Sequence, residues 1–111
     1  MASTQIDREL AAAQAALQSG NDGKARVCAR RAVGIAAEAW LEQQSDRQWR
    51  GDAMEYLRQI QQEASFPLPI RQAAERLITP VPRQHEAPFT ADPIGDARVI
   101  IAHLTESPDN Q

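Results

Sequence analysis

The stretch Gly20-Asn21-Asp22-Gly23-Lys24-Ala25-Arg26-Val27-Cys28-Ala29-Arg30-Arg31-Ala32-Val33-Gly34-Ile35-Ala36-Ala37-Glu38-Ala39-Trp40-Leu41 decides the fold. Its first four residues form a tight connection, because glycine adopts the left-handed conformation cheaply and Asn or Asp can cap a helix. The rest is alanine-rich and free of proline. Ala25, Cys28, Ala32, Ile35, Ala36 and Ala39 share one helical face, and most of these side chains are small enough for a close neighbour. Val27, Gly34 and Leu41 make a second stripe at seven-residue spacing. Two buried stripes predict a central helix from Gly23 to Gln43, capped by Asp22. A glycine inside a helix costs about 1 kcal/mol relative to Ala, so Gly34 predicts a close helix crossing that offsets the loss.

Working outward, the spacing predicts a helix from Thr4 to Ser19, capped by Ser3 or Thr4, with Ile6, Leu10, Ala13 and Leu17 buried. The short link to the next helix makes the pair antiparallel. On the other side, Trp49 falls in a turn or at a helix end. Asp52 and Glu55 have capping-box spacing and open a third helix reaching Ala64, with Ala53, Leu57, Ile60 and Ala64 as its stripe. Ser65-Phe66-Pro67-Leu68-Pro69 interrupts it. A fourth helix spans Pro69 to Ile78, burying Ile70, Ala73 or Ala74, Leu77 and Ile78. Residues 79–91 contain three prolines and form an extended connector. Asp92-Pro93 then starts a fifth helix to Leu104, with Ile94, Ala97, Ile101 and Leu104 inside. The expected architecture is an all-α, mostly up-and-down bundle of four to five helices. Residues 1–106 make one domain and 107–111 a disordered tail.

Composition agrees. The chain has 111 residues, enough for one modest core. Twenty are Ala and twelve Gln, and only five are aromatic. Eleven of the twelve basic residues are Arg, a skew that GC-rich bacterial genomes tend to produce. The formal charge of −3 argues against bulk electrostatic binding of nucleic acid. No run is apolar enough to span a membrane, and Met1 to Ile6 show no secretory signal. A cytoplasmic location is expected. One cysteine excludes an internal disulfide framework and a multi-cysteine zinc site.

The densest positive cluster is Lys24, Arg26, Arg30 and Arg31. Arg26 and Arg30 stand one turn apart, opposite the main apolar stripe. They could grip a phosphate with paired donors, or form a solvated face paired with acids on neighbouring helices. Arg98 and His103 in the last helix supply an anion-binding group and a general acid or base. A five-residue step turns them about 140° apart at 3.6 residues per turn, so they do not converge within one straight helix. His85 and Glu86 lie in the connector, and the scattered His, Cys and carboxylates have no metal-ligand spacing. No metal or cofactor is expected. Cys28 reads as a small core residue. Trp40 and Trp49 flank the end of the second helix, where they close the core or a subunit contact, or offer a stacking platform.

The run Gly23 to Ala36, preceded by a short amphipathic helix, resembles the second helix of HEPN-type domains, which are small all-helical bundles. The paired middle segment from Tyr56 to Ile78, the proline-rich connector and the terminal helix follow a similar order. The resemblance covers residues 4–105 and lies in helix order rather than in a diagnostic motif. It implies a homodimer. Some members of that family are metal-independent ribonucleases in which an Arg-x4–6-His motif from each subunit meets across the dimer. Arg98 and His103 match that spacing. Active versions usually carry a polar residue after the Arg, whereas this chain has Val99. Three functions follow: a non-catalytic binding and dimerisation module acting on a protein partner, a metal-independent endoribonuclease using Arg98 and His103, and a nucleotide-binding partner of a nucleotidyltransferase using Arg26, Arg30 and Arg31.

Overall fold

The structure is a computed structural model that describes residues 2–44, 49–79 and 92–106. The described residues form five helices and no strand: α1 (Ala2–Gln18), α2 (Asp22–Leu41), α3 (Ala53–Gln62), α4 (Leu68–Ile78) and α5 (Pro93–Glu106). This is the expected all-α bundle. The expected connector falls largely, and the expected tail wholly, outside the described residues.

Local signals set most boundaries. At the end of α1, Gly20 takes φ +82°. Its N–H donates to the Leu17 carbonyl at 3.0 Å, and Asn21 N–H donates to the Ala16 carbonyl at 2.7 Å. This pair of bonds is the Schellman closure that a C-terminal glycine favours. Asn21, not Asp22, then caps α2: its Oδ1 accepts from Lys24 N–H at 3.0 Å. The Schellman turn leaves Asn21 as the last non-helical residue, so Asp22 enters the first turn. There its carboxylate meets the positive end of the helix dipole and accepts from Arg26 Nε at 2.7 Å.

Helix α2 is central, packing against α1, α3 and α5. Ala25, Cys28, Ala32 and Ala36 are buried as expected. The second buried face is Ala29, Val33 and Ala37 rather than the stripe through Val27, which is 42% exposed. Helix α3 begins level with Gly34, so Val27 lies beyond the stretch of α2 that α3 covers. At Gly34 the expected close crossing is present. A Cβ built there would lie 2.9 Å from Ala53 Cβ and 3.3 Å from Ala53 Cα.

Asp52 Oδ1 accepts from Glu55 N–H at 3.1 Å and caps α3. This helix ends at Gln62 because Glu63 turns extended. Ala64 is therefore exposed, and Tyr56 joins Leu57 and Ile60 inside. Helix α4 starts one residue earlier than expected, with Pro69 still in its first turn, where a missing N–H leaves no gap. Asp92 Oδ1 accepts from Gly95 N–H at 3.0 Å at the head of α5. Along α5, Ile100 is fully buried and Ile101 only half so. A straight helix turns 3.6 residues at a time, which carries Ile100 inward.

Arg76 of α4 holds Asp96 of α5 with two bonds, at 2.8 and 3.1 Å. Phe66, just before α4, meets the His103 ring near the other end of α5. The two contacts make α4 and α5 antiparallel. Val33, Leu57, Ile60, Leu77 and Ile100 are fully buried where the helices converge, each worth about 1.5–3 kcal/mol of apolar transfer. Trp40, Trp49 and Phe66 close one end, with ring centroids 5.4 to 6.1 Å apart. No helix among the described residues is long and apolar enough to cross a membrane.

Candidate functional site

The three arginines of α2 go different ways. Arg26 is 8% exposed and held by Asp22. Arg30 is half-buried and donates through Nε to the Leu77 carbonyl at 2.7 Å. That carbonyl belongs to the last turn of α4, where no helical N–H remains to serve it. Arg30 thus ties α2 to the end of α4, and burial first, then the nearby Arg26, lower its pKa. Arg26 and Arg30 do not share the solvated face that their one-turn spacing predicts. Long arginine stems can run inward along apolar surface while the head group finds a partner. Arg31 alone is exposed.

Arg98 and His103 are both on α5. Arg98 is exposed beside Val99, which is 46% exposed. His103 is half-buried, its ring set edge-on to Phe66 at 5.6 Å. Within one chain the two side chains leave the helix on different sides. Cys28 is buried next to Ala13 and Ile94. The connector residues His85 and Glu86 lie outside the described residues. Among the described residues, no three His, Cys, Asp or Glu side chains group closely enough to hold a metal.

Arg31 stands over a cleft between α1, α2 and the start of α3, with a volume of about 250 Å³. Gly34, Ile35, Ala53, Glu9, Glu38, Asp52 and Tyr56 also line it. Tyr56 Oη donates to Glu38 Oε2 at 3.5 Å, near the limit of a hydrogen bond. Burial first, and then the Glu38 charge, raise the Tyr56 pKa. Sequence reasoning assigned none of Glu9, Glu38, Asp52 and Tyr56 to a functional site. They come from three helices, and nothing local in the chain groups them. The outward-facing Leu68, 55% exposed at the head of α4, was also not anticipated.

No protein-family model matches the chain, and no curated protein and no solved structure shows detectable similarity to it.

Proposed function

We propose that the chain is a non-catalytic binding module of HEPN-like type that works as a homodimer and engages a protein partner in that form. The observation that carries this reading is the outer surface of α5. Ile94, Ala97, Ile100 and Leu104 commit one side of this helix to the core, while Arg98 and Val99 remain exposed on the other. Leu68 of the adjacent antiparallel helix α4 adds a second exposed apolar side chain. Exposed apolar side chains favour association where they form one contiguous patch.

The internal use of Arg26 and Arg30 supports binding through α5 over nucleotide binding through α2. The packing of His103 against Phe66 and the apolar Val99 after Arg98 favour a module without nuclease chemistry. The arginine skew and alanine content support a bacterial origin and, with the single cysteine, a cytoplasmic location.

Sedimentation velocity at tens of micromolar tests the reading, with a concentration-dependent dimer as the expected result. Monomer alone refutes it. RNA cleavage in EDTA that is lost in His103→Ala refutes the non-catalytic part.

A further inference from the structure

We propose that the junction of Asp22 and Gly23 is a site of spontaneous aspartyl isomerisation, and that Arg26 slows the reaction by holding the Asp22 carboxylate. The chain contains one Asp-Gly pair and no Asn-Gly pair. A following glycine favours this chemistry, because no side chain shields its amide nitrogen. The Asp22 side chain is 58% exposed, and Gly23 is exposed beside it. A Cβ built on Gly23 meets nothing closer than Asn21 Oδ1 at 3.9 Å, so the space around it is open. Gly23 is the second residue of α2, where a backbone N–H has no helical acceptor.

The reaction needs no co-reactant but water. The Gly23 nitrogen attacks Asp22 Cγ, a new C–N bond forms, and the amide proton leaves with the carboxyl OH as water. The product is a five-membered succinimide. Water then adds to one of its two carbonyls. Breaking the bond to Cγ restores aspartate. Breaking the bond to the backbone carbonyl carbon leaves the chain running through Cβ and Cγ, with a free carboxylate on Cα. The fold opposes the first step in two ways. Ring closure needs a ψ at Asp22 far from the helical value of about −42°. Arg26 Nε also holds Asp22 Oδ2 at 2.7 Å, and that oxygen must be released before Cγ reaches the Gly23 nitrogen. Arg26 is itself buried, which anchors the pair. After isomerisation the carboxylate stands one bond closer to the backbone and no longer reaches Arg26. The added backbone methylene also shifts Asn21 away from the Lys24 N–H that it caps.

The test incubates the full chain in warm neutral buffer, native and in urea, as wild type, Arg26→Gln and Gly23→Ala. Digestion with an endoproteinase that cuts before aspartate but not before isoaspartate, read by mass spectrometry, gives the rate at each Asp. Isomerisation is expected first at Asp22, slower in the native wild type than in urea. Native Arg26→Gln should react roughly two- to fivefold faster than native wild type, the gain from losing one exposed ion pair. In urea those two chains should react alike, and Gly23→Ala should be slowest in both states. Sodium chloride weakens the pair, so it should speed the native wild type and leave native Arg26→Gln unchanged. The salt arm uses the wild type alone and decides the matter if circular dichroism shows Arg26→Gln unfolded. Isomerisation that arises first at another Asp overturns the proposal. So does a folded Arg26→Gln no faster than wild type, a difference between them that persists in urea, or a native wild-type rate that salt does not raise.

Discussion

Replacing Gly34 by Ala probes the crossing on which α2 and α3 depend. On propensity alone the change stabilises a helix interior by about 1 kcal/mol. The new Cβ would sit 2.9 Å from Ala53 Cβ and 3.3 Å from its Cα. Relieving that overlap means moving the start of α3, and overpacking of this kind costs about 1–3 kcal/mol. The net expectation is a loss of up to about 2 kcal/mol, or several degrees in Tm for a domain near this size. Gly23→Ala is the internal control. A Cβ there meets nothing closer than Asn21 Oδ1 at 3.9 Å, so this change should stabilise by about 0.4–1 kcal/mol. Urea unfolding followed by far-ultraviolet circular dichroism gives both values. Ala53→Gly in the Gly34→Ala background should recover part of the loss, with a coupling of roughly 0.5–2 kcal/mol. If Gly34→Ala stabilises as much as Gly23→Ala, the two helices do not approach as described and the reasoning fails.

Tyr56 is the single tyrosine, so absorbance at the tyrosinate band reports on it alone. Burial, then Glu38, raise its pKa in the folded state. Its midpoint should lie above that of the urea-unfolded chain. By linkage, its stabilising contribution is complete below the unfolded value of about 10 and is lost as pH rises through the folded value; equal midpoints refute this. Arg30→Ala should cost about 1–3 kcal/mol in urea unfolding, because it strips the Leu77 carbonyl of its donor. A change within error would mean that water serves the carbonyl equally well. Arg76→Ala removes a two-bond clasp on Asp96. With Arg76 partly exposed, a loss of about 1–2 kcal/mol is expected, shrinking as salt is added. A salt-independent loss would assign the effect to packing instead of charge.

The helices were legible because their ends carry local chemistry. Gly20, Asp52, Pro69 and the Asp92-Pro93 pair each act on the backbone within one turn, and the structure uses all of them at or near the expected place. Gly34 was legible for a related reason: a residue costly to a helix interior signalled a close neighbour. Which neighbour, and where along α2 it begins, depends on the path of the chain between helices. Val27 was therefore assigned inside and lies outside. The arginines show the same limit. Periodicity gives the direction in which a Cα–Cβ bond leaves the helix, but a long side chain can turn inward. Arg30 turns toward a carbonyl 47 residues away. The cleft was not legible at all, since Glu9, Glu38 and Asp52 meet only after three helices have packed.

The central functional claim is that α5 presents the contact surface between two copies. Sedimentation equilibrium on the wild type, Val99→Glu and Val27→Glu tests it most directly, because both valines are exposed and neither substitution opens the core. The account predicts that Val99→Glu converts the dimer to monomer while Val27→Glu leaves the dimer constant unchanged. A wild-type dimer that survives Val99→Glu, or that Val27→Glu dissociates equally, would contradict it.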